Sequence, residues 1–78
     1  MTPTDPCLSP REAQAVALVT TGHKYREAGE QMGIETSTVG VLIHRARRKY
    51  AAVSRPAGTM AQLTTQAAAD HLIPSPPR

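Results

Sequence analysis

The chain has 78 residues, which allows one small domain with a core too small to enclose a buried active site and its substrate. It has no Phe or Trp, a formal net charge of only +3 and one cysteine, so the interior must be aliphatic and an intramolecular disulfide is excluded. No apolar stretch approaches the roughly 18 residues of a membrane helix and no signal pattern opens the chain, which predicts a cytoplasmic protein without membrane contact.

The first predicted helix begins at a complete helix-start signature. Ser9 can cap the free amides, Pro10 fits the first turn, and Glu12 can reach back to the Ser9 amide. Residues 1–7, which precede the helix and contain two prolines, predict a flexible arm. Gly22 is expected to end the helix with a positive φ. The predicted inward stripe of this helix is Ala13, Val16, Ala17 and Thr20, with Val19 beside it.

The sequence predicts that the next two helices form a helix-turn-helix that runs from about Tyr25 to His44. The second helix covers residues 25–32, and the third runs from Thr36 or Ser37 to Ala52. The motif needs a small residue where its helices approach closely, which is Gly29, and a positive φ in its turn, which is Gly33. Apolar residues fill the remaining positions that lock the two helices together: Ala28, Met32, Ile34, Val39 and Leu42.

A fourth helix is predicted after a linker over residues 54–58. It begins near Thr59, and three prolines in residues 74–78 predict a disordered tail. Because the first three helices are expected to form a closed unit, the amphipathic face of the fourth is predicted to meet its copy in a homodimer. The residues of this predicted dimer face are Met60, Leu63, Thr64, Ala67, Ala68 and His71.

A family resemblance follows from these segments. Residues 8–12, Gly22, residues 25–34 and the Thr38-Val39 pair resemble the DNA-binding domain of LuxR/GerE-type transcription regulators. The likeness continues through the fourth helix, which in that family makes the dimer contact. The resemblance implies an all-α, four-helix domain over residues 8–73 with proline-rich flexible termini. It also implies that the protein is of bacterial or phage-like origin. The family usually has a lysine at the position of Gly40.

The third helix is also similar to region four of extracytoplasmic-function sigma factors, which reads the −35 promoter element. Residues 37–39 and 44–48 carry this second resemblance. Those proteins do not need a dimerising fourth helix. Because residues 59–73 are present and amphipathic, the sequence favours the LuxR/GerE assignment.

The charge pattern supports contact with a polyanion. Between residues 44 and 55 there are five basic residues, Arg45, Arg47, Arg48, Lys49 and Arg55, and no acidic one. In the helix-turn-helix mode, the N-terminal part of the third helix enters the major groove. The residues predicted to face bases are Thr36, Ser37, Gly40, Val41 (on a thymine methyl group) and His44. The residues predicted to contact the DNA backbone are Thr38, Arg45, Arg47, Arg48 and Lys49, together with Lys24, Tyr25 and Arg26 of the second helix.

The predicted function is therefore that of a sequence-specific, homodimeric regulator that binds double-stranded DNA and is not an enzyme. The alternative is a sigma-region-four-like or adaptor protein that docks on RNA polymerase or another regulator. The three histidines are far apart in the chain and have no partner cysteine, so neither a metal site nor a cofactor is expected.

Overall fold

A computed structural model describes residues 6–73. Within that range the chain forms four α-helices and no strand: α1 (Pro10–Thr20), α2 (Tyr25–Met32), α3 (Thr36–Ala52) and α4 (Met60–Ala69). The predicted all-α class is confirmed. The predicted tail over residues 74–78 lies outside the described residues, as do residues 1–5 of the predicted arm. Pro6 and Cys7 have no regular secondary structure, and Pro6 is buried.

Two of the helices begin with reciprocal capping hydrogen bonds. At α1 the Ser9 amide donates to Glu12 Oε1 at 2.8 Å, and the Glu12 amide donates to Ser9 Oγ at 3.2 Å. This confirms the predicted start of the helix. Thr59 and Gln62 form the same arrangement at α4, with donor–acceptor distances of 3.2 and 3.1 Å. Each capping box satisfies amides that a helix start would otherwise leave without a partner.

The turn between α2 and α3 has the steric features that the sequence predicts. Gly33 follows α2 with a φ of +69°, in the left-handed region that favours glycine. The Ile34 amide donates to the Gly29 carbonyl at 2.9 Å. A β-carbon on Gly29 would stand only 2.8 Å from the Ile34 carbonyl oxygen, so a larger residue does not fit there.

Helix α3 lies at the centre of the core and packs against both α1 and α2. It contributes five buried residues, Val39, Leu42, Ile43, Ala46 and Tyr50. The predicted inward stripe of α1 is right at Val16 and Val19 but wrong at Ala13, Ala17 and Thr20. The structure buries Glu12, Ala15, Val16 and Val19, whereas Ala13 and Ala17 are only half-buried. The reason is that the Glu12 carboxylate points inward to meet a cation from α3, which the pattern of apolar residues alone does not reveal.

Helix α4 completes this same core rather than standing apart from it. Leu63 and Ala67 are both 0% exposed and pack in one cluster with residues of α1 and α3. The expectation that three helices form a closed unit is therefore wrong, because they leave an apolar surface that α4 covers. The predicted dimer face is divided: Met60 is 42% exposed, and Thr64, Ala68 and His71 also reach the surface, but Leu63 and Ala67 do not.

Polar contacts fasten the C-terminal end of α4 to α3, and we refer to Tyr50, Arg55, Gln66 and Asp70 as the polar clamp. The Tyr50 hydroxyl donates to Asp70 Oδ2 at 3.1 Å, and Arg55 Nη2 lies 2.9 Å from Asp70 Oδ1. Arg55 Nε donates to Gln66 Oε1 at 2.8 Å, and the Arg55 guanidinium lies 5.0 Å from the centroid of the Tyr50 ring. The clamp gives the hydroxyl group of the buried tyrosine a hydrogen-bond partner and holds the loop between the two helices in place.

Candidate nucleic-acid interface

The outward side of α3 is a continuous exposed face opposite the core. With 3.6 residues per turn, positions separated by four, seven, eight and eleven residues share one side of a helix. We call the exposed residues at these positions the outward face: Ser37, Val41, His44, Arg45 and Arg48. All five were predicted to contact DNA, and the structure brings them together on one surface.

This outward face has an uncharged half and a basic half. From Thr36 to Ile43 the helix has no ionisable side chain, and Thr36, Ser37 and Thr38 are all exposed. The basic half begins at Arg45, more than two turns from the start of the helix. Uncharged hydroxyl and methyl groups suit base edges, whereas guanidinium groups suit phosphates. The two halves therefore match the two kinds of contact that a major-groove helix makes.

Gly40 occupies a different environment from the one that the sequence predicts. It is half-buried, and the aromatic ring of Tyr25, at the start of α2, lies beside it. A β-carbon at position 40 would lie 3.7 Å from Tyr25 Cε2. Tyr25, which was predicted to contact the DNA backbone, is half-buried and places one edge of its ring, Cδ2 and Cε2, beside α3. This contact joins the beginnings of the two helices of the motif.

The basic run is partly neutralised by acids from distant parts of the chain. Lys49 forms an ion pair with Glu12 of α1 and also donates to the Cys7 carbonyl oxygen at 3.4 Å. Arg55 is held in the polar clamp by Asp70. The sequence pattern made all five basic residues appear unopposed, because these acids are far away along the chain.

The three remaining arginines of the run differ in their exposure. Arg45 and Arg48 are exposed, whereas Arg47 lies half-buried on the flank of α3. Its Nε atom is buried without a hydrogen-bond partner among the described residues. Arg45 and Arg48 are therefore the basic side chains of α3 that are best placed to reach an external anion.

Sequence reasoning predicted the capping role of Glu12 but missed its burial and its ion pair with Lys49. Its side chain is almost fully buried, and burial on its own would raise the pKa of the carboxyl group. The hydrogen bonds from Lys49 and from the Ser9 amide, together with the positive charge of Lys49, outweigh that effect and lower the pKa below its ordinary value of 4.5. One signal was available in the sequence: Glu12 precedes Ala15, Val16 and Val19 at the spacing of a single helix face.

The start of α2 adds a second exposed group of cations. Lys24 and Arg26 are both exposed, and the Lys24 amide donates to Glu27 Oε1 at 2.8 Å. The Arg26 guanidinium lies 3.8 Å from Glu30, but both side chains are largely exposed, so this pair holds Arg26 only weakly. Both cations remain accessible to an external anion.

The structure offers little for other kinds of site. Residues 6–73 contain no group of three or more His, Cys, Asp or Glu side chains that could hold a metal ion. In the same part of the chain, no helix combines the length and apolar character that crossing a membrane requires.

Comparison with known families places a match on the first three helices. Residues 6–49 match the family model described as sigma-70, region 4. The matched segment covers α1, α2 and the outward face of α3 and ends before α4. No curated protein and no solved structure matches the chain.

Proposed function

This chain belongs to the sigma-70 region 4 family of helix-turn-helix DNA-binding domains, and we propose that it is a sequence-specific transcription protein that places α3 in the major groove of duplex DNA. The observation that supports this most directly is the outward face, whose uncharged and basic halves follow one another along a single helix. The proposal locates the protein in the cytoplasm with the DNA that it binds.

In this proposal each half of the outward face has its own role. Ser37, Val41 and His44 face the bases, because the N-terminal part of the recognition helix enters the groove. Arg45 and Arg48 lie further along the helix and bind phosphates, which supplies affinity and register rather than specificity. Thr36 and Thr38 sit at the helix start, where hydroxyl groups reach either a base or a phosphate.

Lys24 and Arg26 bind phosphates on the other side of the groove, from the start of α2. Tyr25, between them, supports this arrangement by holding the start of α2 against Gly40. Lys49 is assigned a structural role here, because its ammonium group is already paired with Glu12. Arg47, on the flank of α3, serves as an additional phosphate contact.

A selection experiment followed by a salt titration tests the proposal. Duplexes bound by the protein are selected from a random pool, and the affinity of the best sequence is measured by fluorescence anisotropy from 50 to 300 mM salt. We expect one enriched motif and a dissociation constant that rises steeply with salt, since phosphate contacts release counterions. Absence of binding to every duplex at low salt would overturn the proposal.

A homodimer formed through α4 is the feature that would distinguish a LuxR/GerE-type regulator from a sigma-like subunit. We propose that such a dimer uses the outward residues Met60, Thr64, Ala68 and His71, because Leu63 and Ala67 are already buried within one copy. The segment from Pro56 to Ala69 has no charged side chain that would repel a second copy. Sedimentation equilibrium with and without DNA tests this: a monomer under both conditions would rule out the dimer.

A second candidate function is action together with RNA polymerase in the manner of a sigma factor. The family match favours it, since the matched segment corresponds to region 4 of sigma-70 proteins. The discriminating measurement is binding of the chain to purified core RNA polymerase in the absence of DNA. Tight association would favour this candidate, whereas binding to DNA alone would favour an independent regulator.

A further inference from the structure

We infer that Val41 is the residue that determines base preference in this chain, and that it does so by contacting the 5-methyl group of thymine in the major groove. This inference rests on the proposed function, because it requires that α3 enter the groove. It goes further by assigning the preference to one side chain and one chemical group on the DNA.

The first observation is the exposure of an apolar side chain in the middle of a polar surface. Val41 is 46% exposed, and it is one of the two exposed large hydrophobic side chains among the described residues. The other is Met60, which lies on α4. Val41 therefore stands alone on the outward face as an apolar contact surface.

The second observation is that the side chains that precede Val41 on the outward face are short. One turn earlier the face presents Ser37, and the preceding residue is Gly40, which has no side chain. The Tyr25 ring fills the space beside Gly40 instead. Long side chains begin only one turn later, at His44 and Arg45. With no long side chain before it, the helix can approach the base edges until Val41 touches them.

The chemistry of the groove selects the partner. Among the four bases, thymine alone presents a methyl group in the major groove, and apolar side chains contact it there. Valine suits this contact because its χ1 is almost fixed in a helix, so little side-chain freedom is lost on binding. It has no hydrogen-bonding group with which to distinguish the other base edges. A preference supplied by Val41 must therefore be a preference for thymine.

The decisive experiment removes the methyl group from the DNA without changing base pairing. In the duplex selected from a random pool, each thymine is replaced in turn by deoxyuridine, which lacks only the 5-methyl group. Removing one buried methyl contact is expected to weaken binding about threefold to fivefold at one or two positions. At those positions Val41→Ala should bind the thymine and deoxyuridine duplexes equally.

Two further variants control for indirect effects. Val41→Thr keeps the branched shape but replaces one methyl group with a hydroxyl, and it should reduce the discrimination while the protein stays folded. His44 lies one turn away on the same face. His44→Ala should bind every duplex more weakly, but deoxyuridine substitution should still reduce its affinity by the same factor as for the unchanged protein. Circular dichroism of each variant confirms the helical fold.

The outcomes separate the inference from the function on which it rests. If no duplex binds, the proposed function fails and the inference fails with it. If a motif is selected but no deoxyuridine substitution weakens binding, the proposed function stands and the role of Val41 is overturned. The role is also overturned if deoxyuridine substitution reduces the DNA affinity of Val41→Ala and of the unchanged protein by the same factor.

Discussion

The ring of Tyr25 lies beside the backbone of Gly40, so that a β-carbon added to Gly40 would stand 3.7 Å from Cε2 and 3.9 Å from Cδ2 of the tyrosine. Both distances correspond to ordinary van der Waals contact. A glycine in the second turn of a long helix is thus accompanied by an aromatic side chain from the neighbouring helix, and the space between them accepts one methyl group.

Gly40→Ala is expected to stabilise the protein by up to about 1 kcal/mol, because alanine favours the helical conformation more than glycine does. The added methyl group would also contact the Tyr25 ring without forcing it to move. The measurement is the free energy of unfolding in urea. A loss of stability would show that the Tyr25 ring lies too close to Gly40 to admit a methyl group.

Gly29→Ala provides the contrasting case within the same motif. Its β-carbon would lie 2.8 Å from the Ile34 carbonyl oxygen, which belongs to the backbone and cannot rotate away. Forcing the turn to open should lower the free energy of unfolding by about 1–3 kcal/mol despite the gain in helix propensity. The same urea titration measures it, and a variant as stable as the parent would contradict the close approach.

Glu12 should make stability depend on pH in the acidic range. Its pKa is lower in the folded chain than its ordinary value of 4.5, so its contribution is present above that value and is lost as the pH falls through the folded pKa. The free energy of unfolding should therefore fall as the pH drops below about 4.5. Glu12→Gln keeps the capping hydrogen bond but loses the charge opposite Lys49, and it should weaken this dependence. Exposed Glu35→Gln is the control and should leave it nearly unchanged.

Arg45 and Arg48 should account for much of the salt dependence of DNA binding. Replacing both with alanine is expected to weaken binding to all duplexes and to reduce the slope of log affinity against log salt by about 0.9 for each lost phosphate contact. Arg11→Ala, which removes one exposed positive charge from α1, is the control for a lost surface charge and should leave the slope unchanged. Lys49→Ala should lower stability, because it leaves Glu12 without its partner, with little effect on the slope. Equal slopes for the double variant and the parent would refute this division of roles.

Leu63 should contribute to the stability of a single copy. Because its side chain is fully buried in the core, Leu63→Ala is expected to cost about 2–5 kcal/mol. Met60→Ala, on the exposed side of the same helix, should change the free energy of unfolding by less than about 0.5 kcal/mol at a concentration where the protein is monomeric. Similar effects of the two substitutions would mean that α4 does not pack as described.

Local sequence signals predicted the helices and the turn well, because their causes lie within a few residues. Ser9 and Glu12 cap α1 from three residues apart, and the positive φ at Gly33 follows from the turn itself. The apolar side of α3 was likewise readable from its own spacing, and Val39, Leu42, Ile43 and Ala46 are all buried.

The contacts that were missed join residues far apart in the chain. Nothing near Lys49 indicates that its partner is Glu12, 37 residues earlier. For the same reason an amphipathic helix such as α4 does not reveal whether its apolar side meets the same chain or another copy. Burial of Leu63 answers that question for part of the face, and only the folded arrangement of α1 and α3 could do so.

The segment that sequence similarity recognises is shorter than the segment that folds. The family match ends at residue 49, and the next residue, Tyr50, is fully buried, as are Leu63 and Ala67 further on. A graft of residues 6–49 into another protein would carry the outward face of α3 but would leave its supporting side uncovered. A graft that continues to Asp70 would include α4, which covers the buried side of α3. Anyone transplanting this DNA-contacting surface should therefore choose boundaries by burial and not by the extent of similarity.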